Sequence, residues 1–514
     1  MKARRARAGG AGRRARAAAP ARSWHPQPSG NDREAGRRVQ PERPRGGNAR
    51  RVRPRSAGRP ASSPGDVRTI LAGIMRVVHL NTADAGGGAA RSALRLSLAL
   101  RGEGVDSLLF VRKRRTDDPT VIQHDSLVDP RFPRLRDRLD SLPWRLYRRR
   151  TRATFDVGMV PDRVAAAVRS LRPSIVNVHW IGYAFMRLEA LGQLPGRIVW
   201  TLHDSWPFTG GCHVPQDCER FTARCGACPV LGSERELDLS RAVWARKRRS
   251  WRELSITLVA PSRWMAERAA RSSLFGDGRV EVIPNGVDTS VYRPRDRRRA
   301  KLRLGLTADA PTVLFAAMWA DRDPNKGFQL LAPALAAVRL ADGARPHLLV
   351  AGSPTLHRHP ALEGLPAHAL GELRGDEAMA EAIAAADVVA VPSMQETFPN
   401  TALEALACAR PVVGFRIGGM PDLVRDGATG WLLPPFDVRA LGEALRSLLH
   451  DPGRAEEMGR TGRSAVEGRL DVASWARRYL ALYQDLLRHP PRDERAPFPA
   501  SSGLSPGSSP PAAR

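Results

Sequence analysis

Two glutamates with seven residues between them, Glu396 and Glu404, are the residues in this chain best placed by type and spacing to hold a sugar. A carboxylate accepts hydrogen bonds from paired hydroxyls, so two of them turned toward one ligand suit a sugar or ribose lying beside a phosphate. Either acid also has an ordinary explanation: Glu404 as the last residue of a capping box, Thr401-Ala-Leu-Glu404, and Glu396 as a solvated loop acid. A second candidate is His203 in Thr-Leu-His-Asp, and a third is the run Asp84-Ala-Gly-Gly-Gly, where Gly86, Gly87 and Gly88 allow a tight turn and close approach of backbone to phosphate. A glycine-rich turn is by itself a weak signal, and Gly-x-Gly-x-x-Gly is not present here. Finally, four of the five cysteines, Cys212, Cys218, Cys225 and Cys228, fall within 17 residues. The Cys-x-x-Cys pair 225–228 is of the kind that grips zinc in a closed four-thiolate site, with reduced thiols or an oxidised cluster as the alternatives.

These residues need elements that aim them. Val388-Val-Ala-Val reads as a strand buried on both faces, ended by Pro392 and Ser393, and followed by the loop of Glu396. A helix opening at Thr401 and running through Ala409 comes next, and Pro411-Val-Val-Gly returns as a strand. In an open parallel sheet, ligands sit beyond the carboxyl ends of strands, where the following helix presents free N–H groups. Met75-Arg-Val-Val-His-Leu-Asn is likewise a strand running into the glycine turn, and Ile198-Val-Trp-Thr-Leu ends on His203. Further strands are expected at Ile175-Val-Asn-Val, Thr257-Leu-Val-Ala, Val280-Glu-Val, Thr312-Val-Leu-Phe and His347-Leu-Leu-Val. Cys408, in the helix of Glu404, reads as a small packed residue.

The stretch from Val388 to Phe415, followed by Gly418-Gly-Met-Pro-Asp and Gly427-Ala-Thr-Gly-Trp-Leu-Leu-Pro, resembles the donor-binding signature of the family-4 retaining glycosyltransferases, glycosyl transferases group 1. The pattern can be followed in outline from about Met75 to Arg488. The resemblance implies a GT-B fold, with two Rossmann-like α/β domains facing each other across a cleft, and transfer of a sugar with retention of configuration. It places Glu396 on the sugar, Glu404 on the ribose, Lys326 of Asn325-Lys-Gly on the donor diphosphate, the loop at Gly87 and Gly88 against that diphosphate from the opposite domain, and His203 toward the donor sugar. A subset of the family carries a similar cysteine cluster. Most members also have an arginine just after the first strand of the second domain; this chain has Ala316-Ala-Met-Trp-Ala-Asp-Arg322 there, so either Arg322 substitutes from another place or one phosphate contact is missing.

The leaving diphosphate would be neutralised by Lys326, by the helix mouth at Asn400 and Thr401, and by the glycine loop. No cofactor is expected for catalysis. The expected partners are a UDP- or GDP-sugar donor and a carbohydrate or lipid-linked acceptor, with a part in polysaccharide, glycolipid or glycoconjugate biosynthesis. A sugar-nucleotide epimerase of similar fold would share the diphosphate seat but release its product without an acceptor. A nucleic-acid-binding protein would leave the paired acids and glycine loop without a purpose.

A chain of 514 residues is too long for one core. The expected division is a basic tail over 1–74, a first domain over 75–290 with the cysteine cluster, a donor domain over 291–470, a closing helix over 471–488 and a tail over 489–514. The formal charge is +30, of which residues 1–74 supply half, with 19 Lys and Arg against 4 Asp and Glu. That segment has too few large apolar residues to offset its ordering entropy; it reads as a solvated tail or as sequence upstream of a true start at Met75. It lacks aromatic interleaving, and nucleic acid is not expected as a partner. Residues 292–303, charged and without an apolar face, read as the linker between domains. Residues 131–152, dense in Arg with Leu, Trp144 and Tyr147 between, could lie on an anionic membrane or bind an acidic acceptor, or be a solvent-facing helical pair. No apolar run is long enough to span a membrane and no signal-peptide core is visible, so the expectation is a cytoplasmic protein, with peripheral contact at the inner membrane face left open.

Overall fold

The computed structural model describes residues 75–124, 135–320, 322–353, 356 and 360–489. The expected tails over 1–74 and from 490 onward, and the start of the arginine-rich segment at 131–134, lie outside them.

The first domain is a seven-stranded parallel sheet of β1 (Arg76–Ala83), β2 (Asp106–Lys113), β3 (Val121–Gln123), β4 (Ile175–Val178), β5 (Arg197–Thr201), β6 (Ile256–Ala260) and β7 (Val280–Val282). Its strand order is 3-2-1-4-5-6-7. The chain reverses direction across the sheet between β1 and β4. Helices α1 (Gly88–Gly102), α2 (Leu135–Arg145), α3 (Val164–Ser170), α4 (Leu239–Trp251) and α5 (Arg263–Ala270) belong to it. The second sheet holds β8 (Thr312–Ala316), β9 (His347–Ala351), β10 (Ala367–Gly371), β11 (Val388–Val391), β12 (Val412–Phe415) and β13 (Gly430–Leu433), in the order 10-9-8-11-12-13, again all parallel. With it go α6 (Arg297–Arg303), α7 (Phe328–Ala336), α8 (Gly375–Ala384), α9 (Asn400–Ala407), α10 (Met420–Leu423), α11 (Val438–His450), α12 (Pro452–Val466) and α13 (Val472–Arg488).

Every residue of β4, β6, β8, β11 and β12 is buried, as unbroken β-branched runs require when helices cover both faces. Both sheets therefore have a switch point, β1/β4 in one and β8/β11 in the other, and the loops leaving those strands carry most of the candidate residues. The closing helix α13 crosses back to the first domain: Tyr479 and Tyr483 are fully buried, with Tyr479 Oη 2.9 Å from Thr201 Oγ1 and Tyr483 Oη accepting from Asn177 Nδ2 at 2.7 Å.

Two expectations are corrected. Residues 292–303 are not a linker. Tyr292 is fully buried and α6 packs on the second domain, its charges met in pairs: Lys301 Nζ with Asp387 at 2.8 Å, Arg297 with Asp387 at 3.1 Å and Arg303 with Glu381 at 2.9 Å. The missing apolar face is replaced by ion pairs that only the fold brings together. Among the described residues of the arginine-rich segment there is one helix, α2, followed by turns, rather than a helical pair.

Candidate active site in the cleft

Lys326 and Glu396 meet. Lys326 closes a single 3-10 turn after β8, Glu396 sits in the loop after β11, and Lys326 Nζ donates to Glu396 Oε2 at 3.1 Å. Ser393 Oγ donates to the same oxygen at 3.1 Å. Asn325 braces the loop, with Nδ2 donating to the Gln395 carbonyl at 2.9 Å and Oδ1 accepting from the Gln395 N–H at 3.0 Å. Two glycines let the backbone close this tightly: Gly327 at φ +77° and Gly418 at φ +51°, where a Cβ would stand 1.8 Å from the Pro392 carbonyl oxygen and 2.0 Å from that of Glu396. The carboxylate of Glu396 outweighs burial and raises the Lys326 pKa, so the lysine is an ammonium at neutral pH. Both side chains keep some exposure to the cleft.

The mouth of α9 differs from the sequence expectation. The helix starts at Asn400 behind Pro399, which offers no side-chain cap, and Thr401 is already inside it, its Oγ1 donating to the Ala316 carbonyl at 3.2 Å. The Thr401–Glu404 capping box is therefore not formed, and the helix ends at Ala407 rather than Ala409. Asp or Ser caps α4, α5, α6, α11, α12 and α13, while α3, α7, α8 and α10 open without a side-chain cap. At the cleft, α9 and α1, which begins behind Gly87, both open with no side-chain cap. Asn400 Nδ2 joins the two openings by donating to the Gly88 carbonyl at 3.2 Å and to Ser92 Oγ at 3.0 Å. Two helix mouths, each with free N–H groups and positive dipole end, thus abut across the cleft.

Glu404 is fully buried, and two arginines of α1 reach it from the other domain: Arg95 Nη2 at 2.8 Å and Arg91 Nη1 at 3.3 Å. Arg95 also donates to Asp376 at 2.7 Å and to Tyr292 Oη at 2.9 Å. Burial opposes the charge of Arg95, but Glu404, Tyr292 and Asp376 hold it firmly protonated. Sequence reasoning missed Arg91, Arg95, Tyr292 and Asp376. The available signal was the four-residue spacing of Arg91 and Arg95, which puts them on one face of the helix behind the glycine loop. Arg322 is exposed in the turn after β8, four residues before Lys326, with its N–H closing on the Trp319 carbonyl at 2.8 Å.

His203 ends a row of three histidines, His79 on β1, His179 just past the end of β4 and His203 just past the end of β5. His79 Nδ1 lies 2.9 Å from His179 Nε2, and His179 Nδ1 lies 2.9 Å from His203 Nε2. Burial lowers His79 to about 3 and His203 to about 4, and carries His179 well below its ordinary value. All three are neutral at pH 7, so each contact has one donor and one acceptor. His79 Nε2 is buried without a partner. A bare lone pair there is tolerated better than a bare N–H, which runs the donors from His79 outward and leaves His203 with its proton on Nδ1. The neighbouring Asp204 accepts from Trp180 Nε1 at 2.6 Å and pairs with His213, which lies 2.6 Å from Asp204 and 2.9 Å from Asp156. Burial pulls His213 down, but the two carboxylates outweigh it and hold its pKa at about 9.

The four clustered cysteines are free thiols lining one small cavity of about 10 Å³, together with Thr209, Phe221 and Ser240. Burial raises Cys212 well above its ordinary value and Cys225 to about 12. Among the described residues no group of three or more His, Cys, Asp or Glu side chains is placed to hold a metal ion. The fully buried Lys247 lies beside them, donating to the carbonyls of Trp206 and Thr209 with Nζ 3.8 Å from the Trp206 ring centroid. Cys408 is buried at the end of α9.

Residues 86–291 match the model of Glycosyltransferase Family 4, and residues 310–451 match that of Glycosyl transferases group 1. Among curated relatives, a D-inositol 3-phosphate glycosyltransferase of Kineococcus radiotolerans is 30% identical over 424 residues, covering 75% of this chain and 88% of the relative. The enzyme of the same name from Segniliparus rotundus is 28% identical, covering 76% and 82%. Among solved structures, Anabaena HepE in complex with UDP-glucose superposes with a TM-score of 0.58 at 18% identity, over 80% of this chain and 99% of that one. Sucrose-phosphate synthase of Thermosynechococcus elongatus gives 0.57 at 21% identity, over 80% and 99%. These structural likenesses carry the fold. The two family matches and the extent of the first relative place the chain in the family-4, group 1 glycosyltransferases, and its two parallel sheets give the fold: it is a glycosyltransferase of the GT-B fold.

Proposed function

We propose that the chain transfers a sugar from a nucleotide-sugar donor to a hydroxyl acceptor with retention of configuration. The observation that carries this reading is the Lys326–Glu396 pair, 3.1 Å apart, in a cleft where the uncapped openings of α1 and α9 abut. In this reading the donor diphosphate lies between the two helix mouths and Lys326, with its sugar toward Glu396 and His203. As the bond from C1 to the diphosphate oxygen breaks, negative charge grows on the leaving group, where the ammonium and the free N–H groups already point. Positive charge grows at C1, opposite the carboxylate of Glu396. The acceptor oxygen joins C1 on the face the diphosphate leaves, and its proton passes to the departing diphosphate. His203, donating from Nδ1, would hold a sugar hydroxyl. Glu404 would meet the ribose while keeping the arginines of α1 in place.

HepE, solved with UDP-glucose, supports starting with UDP-sugars, and the curated relatives make inositol 3-phosphate the first acceptor to assay. The test is turnover with a panel of UDP- and GDP-sugars, with the product anomer followed by NMR. Acceptor-dependent release of nucleoside diphosphate with the donor's anomeric configuration is the expected result. An inverted product, or a free sugar formed without an acceptor, overturns it.

A further inference from the structure

Helix α2 in the first domain is built with its polar side chains inward and its leucines outward. Arg136 and Asp140 are its buried residues. Arg136 donates to the carbonyls of Pro161 at 2.7 Å and Ala184 at 3.1 Å, and Asp140 accepts from the N–H groups of Val157, Gly158 and Met159 at 3.1, 3.2 and 2.8 Å. These bonds fasten the helix without any help from its leucines. Leu135, Leu139, Leu142 and Leu146 are instead 41, 47, 56 and 76% exposed. Leu135, Leu139 and Leu142, four and three residues apart, lie on one face of the helix, and Leu146 follows in the turn just past its end. Met159 and Tyr183, also exposed, belong to the segments that hold α2: Asp140 binds the Met159 N–H, and the Tyr183 carbonyl accepts from Arg112, which pairs with Asp137 of α2 at 2.6 Å.

Beside and beyond the leucines stand six exposed arginines, Arg138, Arg145, Arg148, Arg149, Arg150 and Arg152. The acids of α2 do not offset them, since Asp140 is buried and Asp137 is taken by Arg112, and the exposed Glu234 meets only Arg149, at 3.7 Å. A merely solvated basic helix has no use for a leucine row, and a core helix would turn the row inward. Leucines at one level flanked by arginines match a surface that is apolar below and anionic above, which is a bilayer containing acidic lipid.

We propose that α2 and the arginine turn after it dock the first domain on an anionic membrane, the leucines entering to headgroup depth and the arginines lying on lipid phosphates. The inference stands apart from the donor-site reading, because no side chain of α2 or of the turn after it is bonded to Lys326, Glu396 or Glu404. The full chain is mixed with vesicles of equimolar phosphatidylcholine and phosphatidylglycerol, or of phosphatidylcholine alone, and followed by hydrogen exchange and by flotation. Residues 1–74 are themselves strongly basic, so site-resolved protection rather than total binding decides. Protection over 135–152 is expected with the anionic vesicles only. The double variant Leu139→Gln/Leu142→Gln should lose that protection and weaken flotation by about tenfold. Arg148→Gln/Arg149→Gln should weaken it by about thirtyfold. Unchanged melting is expected for both variants, since the four positions are exposed. Protection confined to other segments, protection retained in the leucine variant, or no vesicle binding overturns the proposal. Protection of 135–152 by a soluble protein in place of lipid does so too.

Discussion

Glu404 of α9 and Arg95 of α1 stand 2.8 Å apart across the cleft, both shielded from solvent, so the opposed helices of the two domains are tied by a buried ion pair. Removing one partner leaves the other's charge with only its second partner, Arg91 for Glu404 and Asp376 for Arg95. Arg95→Ala should destabilise the chain by about 3–5 kcal/mol in urea unfolding, because Glu404 is then buried and short of a partner. Glu404→Gln keeps an acceptor for Arg95 and should cost less than Glu404→Ala, while raising KM for the donor. Equal stability of Arg95→Ala and wild type would show that the pair is solvated in solution.

Lys326→Ala should lower kcat by roughly a hundredfold or more, since the ammonium gains most as diphosphate charge develops. Glu396→Gln keeps the shape of the loop and its bond to Ser393 but loses the charge facing C1, and should lower kcat with little change in melting. Wild-type turnover in both variants would remove them from the chemistry.

The histidine row makes a spectroscopic prediction. Nitrogen-15 NMR should find His203 neutral at pH 7 with its proton on Nδ1. His179→Phe should release that preference and lower kcat without unfolding the domain. A His203 protonated on Nε2 in the wild type contradicts the assignment.

Stability should fall on both sides of neutrality for different reasons. His79 and His203 have folded pKa values depressed to about 3 and about 4. Their contribution is complete above the unfolded value of about 6.5 and is lost as pH falls toward those values. His213 has a folded value raised to about 9, so its contribution is complete below about 6.5 and is lost as pH rises through about 9. Thermal melts across pH should show both slopes, and His213→Gln should flatten the alkaline one.

For Cys212, Cys218, Cys225 and Cys228 we propose a structural zinc, because the four thiols line one cavity. Zinc would hold them as thiolates, against the direction in which burial alone moves them, and would draw them together. Protein purified under reducing conditions should contain about one zinc per chain. A metal-free protein with full activity and unchanged melting would leave the cluster as packed thiols.

The sequence by itself determined the two parallel sheets and the neighbourhood of the cleft. Strands such as Val388–Val391 are apolar without interruption, and only burial on both faces accounts for that. Glu396, Lys326 and Gly88 each fall where a strand passes into a helix, so their place at a carboxyl edge follows from local pattern. What faces them did not. Arg91 and Arg95 are as polar as any surface arginine of α1, and only the docking of the domains makes Glu404 their partner. His79 and His179 stand 100 residues apart in sequence and meet because β1 and β4 are neighbours at the switch point. Tyr292 and Lys301 looked like linker because their burial is accompanied by a hydrogen bond to Asp376 and an ion pair with Asp387, which leave no apolar periodicity. The tertiary structure also decided that Thr401 is the second residue of its helix rather than its cap, with its hydroxyl donating to the Ala316 carbonyl. Local pattern records which faces are apolar; pairs of charged or polar groups that satisfy each other across domains leave no such trace, and they become visible only when the chain is folded.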